Sequence, residues 1–214
     1  MSERRPIASR HTKLAVRVAW ALAERGVAPN LISQCSMVFA ALAGLAFWFS
    51  GMTEGFLSVI CLLGAALGCQ LRLLCNLFDG MVAVEGKRGA ADGPFWNEAP
   101  DRVADTFIMV GLGLGAGHLS LGWAAAALAI ATAYVRELGS AQGQSADFRG
   151  PMAKPQRMAV TTASAVLSTV IPAIFGWSLL YLALWIIVLG SSITVLRRSY
   201  GLVGFLRAAS KGTE

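Results

Sequence analysis

Charge is what this chain has least of. Of its 214 residues only 14% are Asp, Glu, Lys or Arg, against 56% that are hydrophobic. With a mean hydropathy of +0.60, that composition excludes an ordinary soluble domain. Histidine is nearly missing, and His11 and His118 have no partner at ligand spacing. The four cysteines, Cys35, Cys61, Cys69 and Cys75, lie in apolar segments without the spacing of a zinc site or a disulfide framework. They read as small buried packing residues. The first residues are basic and lack an early apolar core, which argues against a cleaved signal peptide.

What the chain does have is a series of apolar runs. Each is about 20 residues, enough to cross a hydrocarbon core of about 30 Å. The expected fold class is all-α integral membrane, with six transmembrane helices and an N-terminal interfacial amphipathic helix. One domain covers residues 1–214, with a cytoplasmic or interfacial segment at 1–29, a six-span bundle at 30–199 and a cytoplasmic tail at 200–214. In residues 11–25, Lys13, Arg17 and Glu24 take one side of a helix and Leu14, Val18, Ala21 and Leu22 the other, a pattern for the headgroup layer. The first two spans are 31–50 and 55–83. Residues 106–135 as one helix would reach about 45 Å, too long for one crossing. A turn at His118, Ser120 and Gly122 divides them into spans 95–116 and 119–138. Gly176-Trp177 likewise divides 158–175 from 178–196.

The basic residues support this count. The outer loops at 51–55, 117–120 and 176–178 contain no Lys or Arg, so all eighteen fall on or near the cytoplasmic side. Five spans would put Arg197, Arg198, Arg207 and Lys211 outside. The expected location is the bacterial inner membrane, with both termini and the active site cytoplasmic. The pI near 9.6 then reflects anionic lipid headgroups and phosphorylated substrates, with no nucleic-acid partner required.

Against this apolar background, six of the twelve acidic residues fall between Asp79 and Asp105. Ionisable groups at the edge of a span are costly and mark functional sites. On a helix, Arg72, Asn76, Asp79 and Ala83 share one face, and so do Gly93, Asn97, Asp101 and Asp105. The loop joining them, with Glu85, Lys87, Arg88 and Asp92, is cytoplasmic, so both faces meet at one depth. Such oxygen donors suit Mg²⁺ or Mn²⁺. Gly80, Ala83 and Gly93 have almost no side chain and let a bulky ligand approach the backbone. The bland reading of Asn76 and Asn97 is a pair of interhelical amides; that of Arg72, Asp101 and Arg102 is an interfacial ion pair. Gly111, Gly113, Gly115 and Gly117 have no strand before them and read as helix packing, not as a nucleotide loop.

The pattern resembles the CDP-alcohol phosphotransferase family, whose signature is D-x-x-D-G-x-x-A-R, eight residues, then G-x-x-x-D-x-x-x-D. Its spacing recurs here without a gap. Asp79-Gly80, Ala83, Gly93 and Asp101 match, whereas Asn76, Val84 and Asn97 depart. The resemblance implies a transferase of phospholipid synthesis. Such an enzyme moves a phosphatidyl or other substituted phosphate from a CDP-linked lipid donor to a hydroxyl acceptor, releasing CMP. It implies two divalent cations held at positions 76, 79, 97 and 101, with Asp101 also the catalytic base. Gly80, Ala83 and Gly93 would flank the CDP. It also implies a homodimer. The asparagines supply carbonyl oxygens but no charge, so two carboxylates leave two divalent ions with an excess of two positive charges until the CDP diphosphate binds. Glu98 and Asp105 stand as reserve ligands. The basic stretch 148–157 reads as topology charge; related enzymes carry basic residues there near the acceptor, which makes Lys154 and Arg157 candidate phosphate contacts. The rival reading is a catalytically silent relative acting as a membrane scaffold or lipid-binding partner, for which the three departures speak. A transporter fits less well, since the polar residues gather at one edge.

Overall fold

The computed structural model describes residues 12–85 and 92–211. Lys87 and Arg88 of the loop joining the two polar stretches lie outside the described residues, as do positions 1–11 and 212–214. The elements are helices α1 (Lys13–Glu24), α2 (Pro29–Met52), α3 (Gly55–Glu85), α4 (Gly93–Gly115), α5 (Leu119–Ala141), α6 (Lys154–Ser168) and α7 (Leu179–Lys211), with strands β1 (Ala173–Ile174) and β2 (Trp177–Ser178) before α7. Four helices, α2, α3, α5 and α7, contain stretches long and apolar enough to cross a membrane. Helix α4 carries Glu98, Asp101, Arg102 and Asp105 in its first half, and α6, with 15 residues, is only about 22 Å long.

Helix α1 starts where the Thr12 hydroxyl accepts from the Ala15 amide at 3.3 Å and ends at Gly26, whose φ of 77° suits only a residue without a side chain. Its protein-facing ridge is made of small residues. Ala15 and Ala19 pack on Met81 and Val82 of α3, while Leu14 is 72% and Trp20 56% exposed. Small residues let α1 come close to α3, and the bulky apolar side chains stay outside the protein.

Glycine sets how near the long helices approach. A Cβ built on Gly111 would lie 2.3 Å from the Gly44 Cα, and one on Gly113 would lie 2.7 Å from the Gly122 Cα. Helices α2 and α4 touch at the first pair, and α4 and α5 at the second. Gly111, Gly113 and Gly115 thus form a packing surface, as read from the sequence, whereas Gly117 does not. Gly122 is a contact point inside α5 and not part of the turn, which Gly117 makes with φ 73°. Ala40, Ala43, Phe47, Ile108, Met109, Leu112 and Ala125 fill the core around these contacts.

The last third departs from expectation in two ways. Helix α6 begins at Lys154, with Pro155 in its first turn, and ends at Ser168. Of the ten residues to α7, 173–178 fold as a small antiparallel hairpin, pairing Ala173 with Ser178 and Ile174 with Trp177, with Phe175 and Gly176 at the tip. Helix α7 then continues to Lys211, through most of the expected tail.

Candidate active site

Helix geometry brings the two polar stretches together. Arg72, Asn76 and Asp79 descend one face of α3, and Asp101 and Asp105 one face of α4. Pro100 lies inside α4 immediately before Asp101; its missing N–H removes one rung of the helix there. Asn97 occupies the turn of α4 preceding Asp101.

The contacts form a continuous chain across three helices. Asn76 Nδ2 donates to Asp101 Oδ1 at 3.0 Å. Lys154, the first residue of α6, donates from Nζ to Asn76 Oδ1 at 2.7 Å and to Asp101 Oδ2 at 2.5 Å. Arg72 Nη2 reaches Asp105 Oδ1 at 2.8 Å and Asp101 Oδ1 at 3.4 Å. Arg157 Nη2 donates to Asp105 Oδ2 at 2.5 Å. Asp79 closes the near side, accepting from Ser33 Oγ of α2 at 2.8 Å and from the Gly80 amide at 2.5 Å. Arg72, Asp79, Asp101, Asp105 and Arg157 are all buried, Arg72 completely. Asp101 and Asp105 thus meet three cations (Arg72, Lys154, Arg157), with Asp79 beside them on α3.

Depth separates two roles in this chain. Asp105 is held by two buried guanidiniums at the bottom. Removing one member of a buried pair strands the other's charge, so this end is structural. Asp101, one turn nearer the helix start, has a side chain 12% exposed, and the Lys154 side chain beside it is 25% exposed. That end is open to a ligand. Arg72 Nε and Nη1 and Arg157 Nε are buried with no hydrogen-bond partner among the described residues. A cluster that leaves donors unpaired is costly to maintain, which weighs against a purely packing role.

Of the candidate residues, Asn76, Asp79, Asp101 and Lys154 converge. Gly80 and Ala83 follow on α3, and a Cβ added to Gly93 would meet nothing within 4 Å. Arg157 lies on Asp105, and the two suggested reserve ligands are otherwise engaged. Asp105 carries the guanidinium pair, and Glu98 bonds Arg102 within α4 and Arg136 of α5 at 2.9 Å. Sequence reasoning missed Ser33, which belongs to an apolar span and gives no polar pattern of its own. It also missed the clamp on Asp105, although Arg72 and Asp105 extend the two matched faces by one turn each.

Beyond the cluster, the link from α5 to α6 is pinned to α7. Arg198 donates to the Arg149 carbonyl at 3.0 Å and the Thr132 carbonyl at 2.7 Å, and Met152 N to Thr194 Oγ1 at 3.0 Å. The Arg149 guanidinium holds the Asp147 carboxyl below its usual range. These ties fix where α6 starts, and hence where Lys154 stands.

Among the described residues, no three His, Cys, Asp or Glu side chains converge as a metal site. The oxygen donors that the two faces offer are the Asp79 and Asp101 carboxylates and the Asn76 carbonyl. That set fits a hard divalent cation of the Mg²⁺ or Mn²⁺ kind when phosphate oxygens complete it.

No family model and no curated protein matches the chain. Solved structures do. The chain is similar to the phosphatidylinositol phosphate synthase PgsA1 of Mycobacterium tuberculosis with CDP-DAG bound, at TM-score 0.72 and 19% identity over 89% of this chain and 94% of that one. The same enzyme in complex with manganese and citrate gives 0.71 and 18% over 88% of each chain. Its apo form gives 0.67 and 19% over 86% of this chain and 93% of that one. The chain therefore has the fold of these synthases.

Proposed function

We propose that the chain is a CDP-alcohol phosphotransferase: it moves a phosphatidyl or similar substituted phosphate from a CDP-linked lipid to a hydroxyl acceptor and releases CMP. The observation that carries this reading is the 3.0 Å bond between Asn76 and Asp101, which joins the two halves of the matched spacing across α3 and α4. A fold shared with a synthase seen with CDP-DAG supports it.

In this reading Asp101 takes the proton from the acceptor hydroxyl as the new P–O bond forms and the bond to CMP breaks. A bound Mg²⁺ or Mn²⁺ supplies charge stabilisation on the diphosphate and on the departing CMP. Asp79, Asn97 and Asp101 would hold it, with Asn76 tying Asp101 to α3. Gly80, Ala83 and Gly93 leave room for the cytidine. Lys154 stands within reach of substrate phosphate, while Arg157 keeps Asp105 in place beneath Asp101.

The chain lies in the bacterial inner membrane as a homodimer. Six helices, α2 to α7, cross, and α1 lies in the cytoplasmic headgroup layer with Leu14 and Trp20 toward lipid. The absence of Lys and Arg from the turns at 53–54, 116–118 and 169–178 supports this orientation. Cysteines introduced at Thr53 and Ser178 are then labelled from outside, and one at Ser145 is not; labelling at Ser145 would overturn the orientation. The function is tested by incubating purified protein with CDP-diacylglycerol and a panel of hydroxyl acceptors, with products identified by mass. A phosphodiester and CMP are expected. Donor binding without product from any acceptor favours the scaffold reading.

A further inference from the structure

We infer that Lys154 is a resident cation occupying the ground a second metal ion would need, so that this chain takes a single divalent cation together with its donor. The inference rests on the transferase reading and deepens it.

The geometry is specific. Lys154 Nζ sits between Asn76 Oδ1 and Asp101 Oδ2, at 2.7 and 2.5 Å, the two oxygens through which α3 and α4 would jointly hold a metal. An amide has one ligating oxygen, and at Asn76 the ammonium has it. The other end of that amide donates to Asp101 Oδ1. A flipped amide would set its NH₂ against the ammonium and its oxygen against a carboxylate, so both partners fix this orientation. Asn76 is therefore matched to a Lys–Asp pair. A carboxylate there would instead lie hydrogen-bond close to Asp101 and call for more positive charge than one lysine carries.

Charge gives the same answer independently. Arg72, Lys154 and Arg157 balance Asp79, Asp101 and Asp105 before any ligand arrives. Each phosphate of a CDP-linked diester brings one negative charge. One divalent cation cancels the pair, whereas two would leave an excess of two positive charges in a buried site. Asp79 remains to receive that cation. Each of its oxygens accepts one hydrogen bond, from Ser33 or Gly80, and a carboxylate oxygen has a further lone pair. One or two carboxylates plus substrate phosphates is a usual way for a protein to hold Mg²⁺.

The test counts Mn²⁺ by electron paramagnetic resonance on the purified full chain with saturating CDP-diacylglycerol and no acceptor. The expected count is one ion per chain without Mn–Mn coupling. The double variant Asn76→Asp with Lys154→Ala is expected to take a second, spin-coupled ion. Two coupled ions in the wild type would overturn the inference and leave the transferase reading intact. No ion in the wild type with donor bound would overturn both the inference and the metal part of that reading. One ion in the wild type without CMP release on adding acceptors would sustain the inference while the transferase reading fails. A double variant that melts cooperatively and still holds one ion would also overturn it; if the variant does not fold, the wild-type count decides.

Discussion

The two halves of α4 hold the same helix in place by opposite means. From Phe107 to Gly115 it meets its neighbours backbone to backbone, Gly111 on Gly44 and Gly113 on Gly122. From Gly93 to Asp105 it faces α3, which it contacts only sparsely, and the gap is bridged by Arg72, Asn76, Lys154 and Arg157. Glycine closes one end until nothing fits between the helices. Charge joins the other end to α3 and keeps it polar. The lesson is that rigidity and access are assigned to different ends of one bundle: the glycine end fixes the helices, so that the charged end can stay open without drifting.

That comparison can be broken from either end. The largest effect on stability is expected at the bottom of the charged end. Asp105→Ala strands two buried guanidiniums and should cost about 3–5 kcal/mol, read as a lower unfolding midpoint in detergent. A loss below about 1 kcal/mol would show that the arginines are not held by Asp105. Ser33→Ala removes a hydrogen bond to a buried carboxylate and should cost about 1.5–3 kcal/mol; an unchanged midpoint would detach Ser33 from Asp79. At the glycine end, Gly111→Val forces a side chain into the Gly44 backbone and should cost about 1–3 kcal/mol. Its donor affinity, measured on folded protein, should stay near wild type. If donor affinity falls as far as it does in Asp79→Ala, the two ends are not separable.

The charged faces of α3 and α4 were legible in the sequence because helical spacing alone decides which residues share a face, and the polar residues stood out against apolar runs. That Lys154, named only as a candidate phosphate contact, reaches Asn76 and Asp101 was not. Lys154 lies 78 positions from Asn76, and its place depends on how the 142–153 link is tied to α7, which no local pattern records. The ridge by which α1 touches α3 was not legible for a different reason. In water the bulky apolar face packs inward; beside lipid, small residues pack and the bulky ones face out, so Ala15 and Ala19 carry the contact in place of Leu14. Gly122 misled in the same way, since glycine inside apolar helices marks close packing as readily as a turn. The hairpin at 173–178 was hidden because its residues are as apolar as a span.

The most direct measurement compares CMP release by the wild type and by Asp101→Asn, both purified, folded and supplied with CDP-diacylglycerol, Mn²⁺ and the acceptor panel. The account predicts CMP and a phosphodiester from the wild type, and a rate lower by about 10²–10⁴ in the variant at similar donor affinity, as loss of a general base requires. Equal rates would remove Asp101 from the chemistry, and no CMP from either protein would contradict the transferase itself.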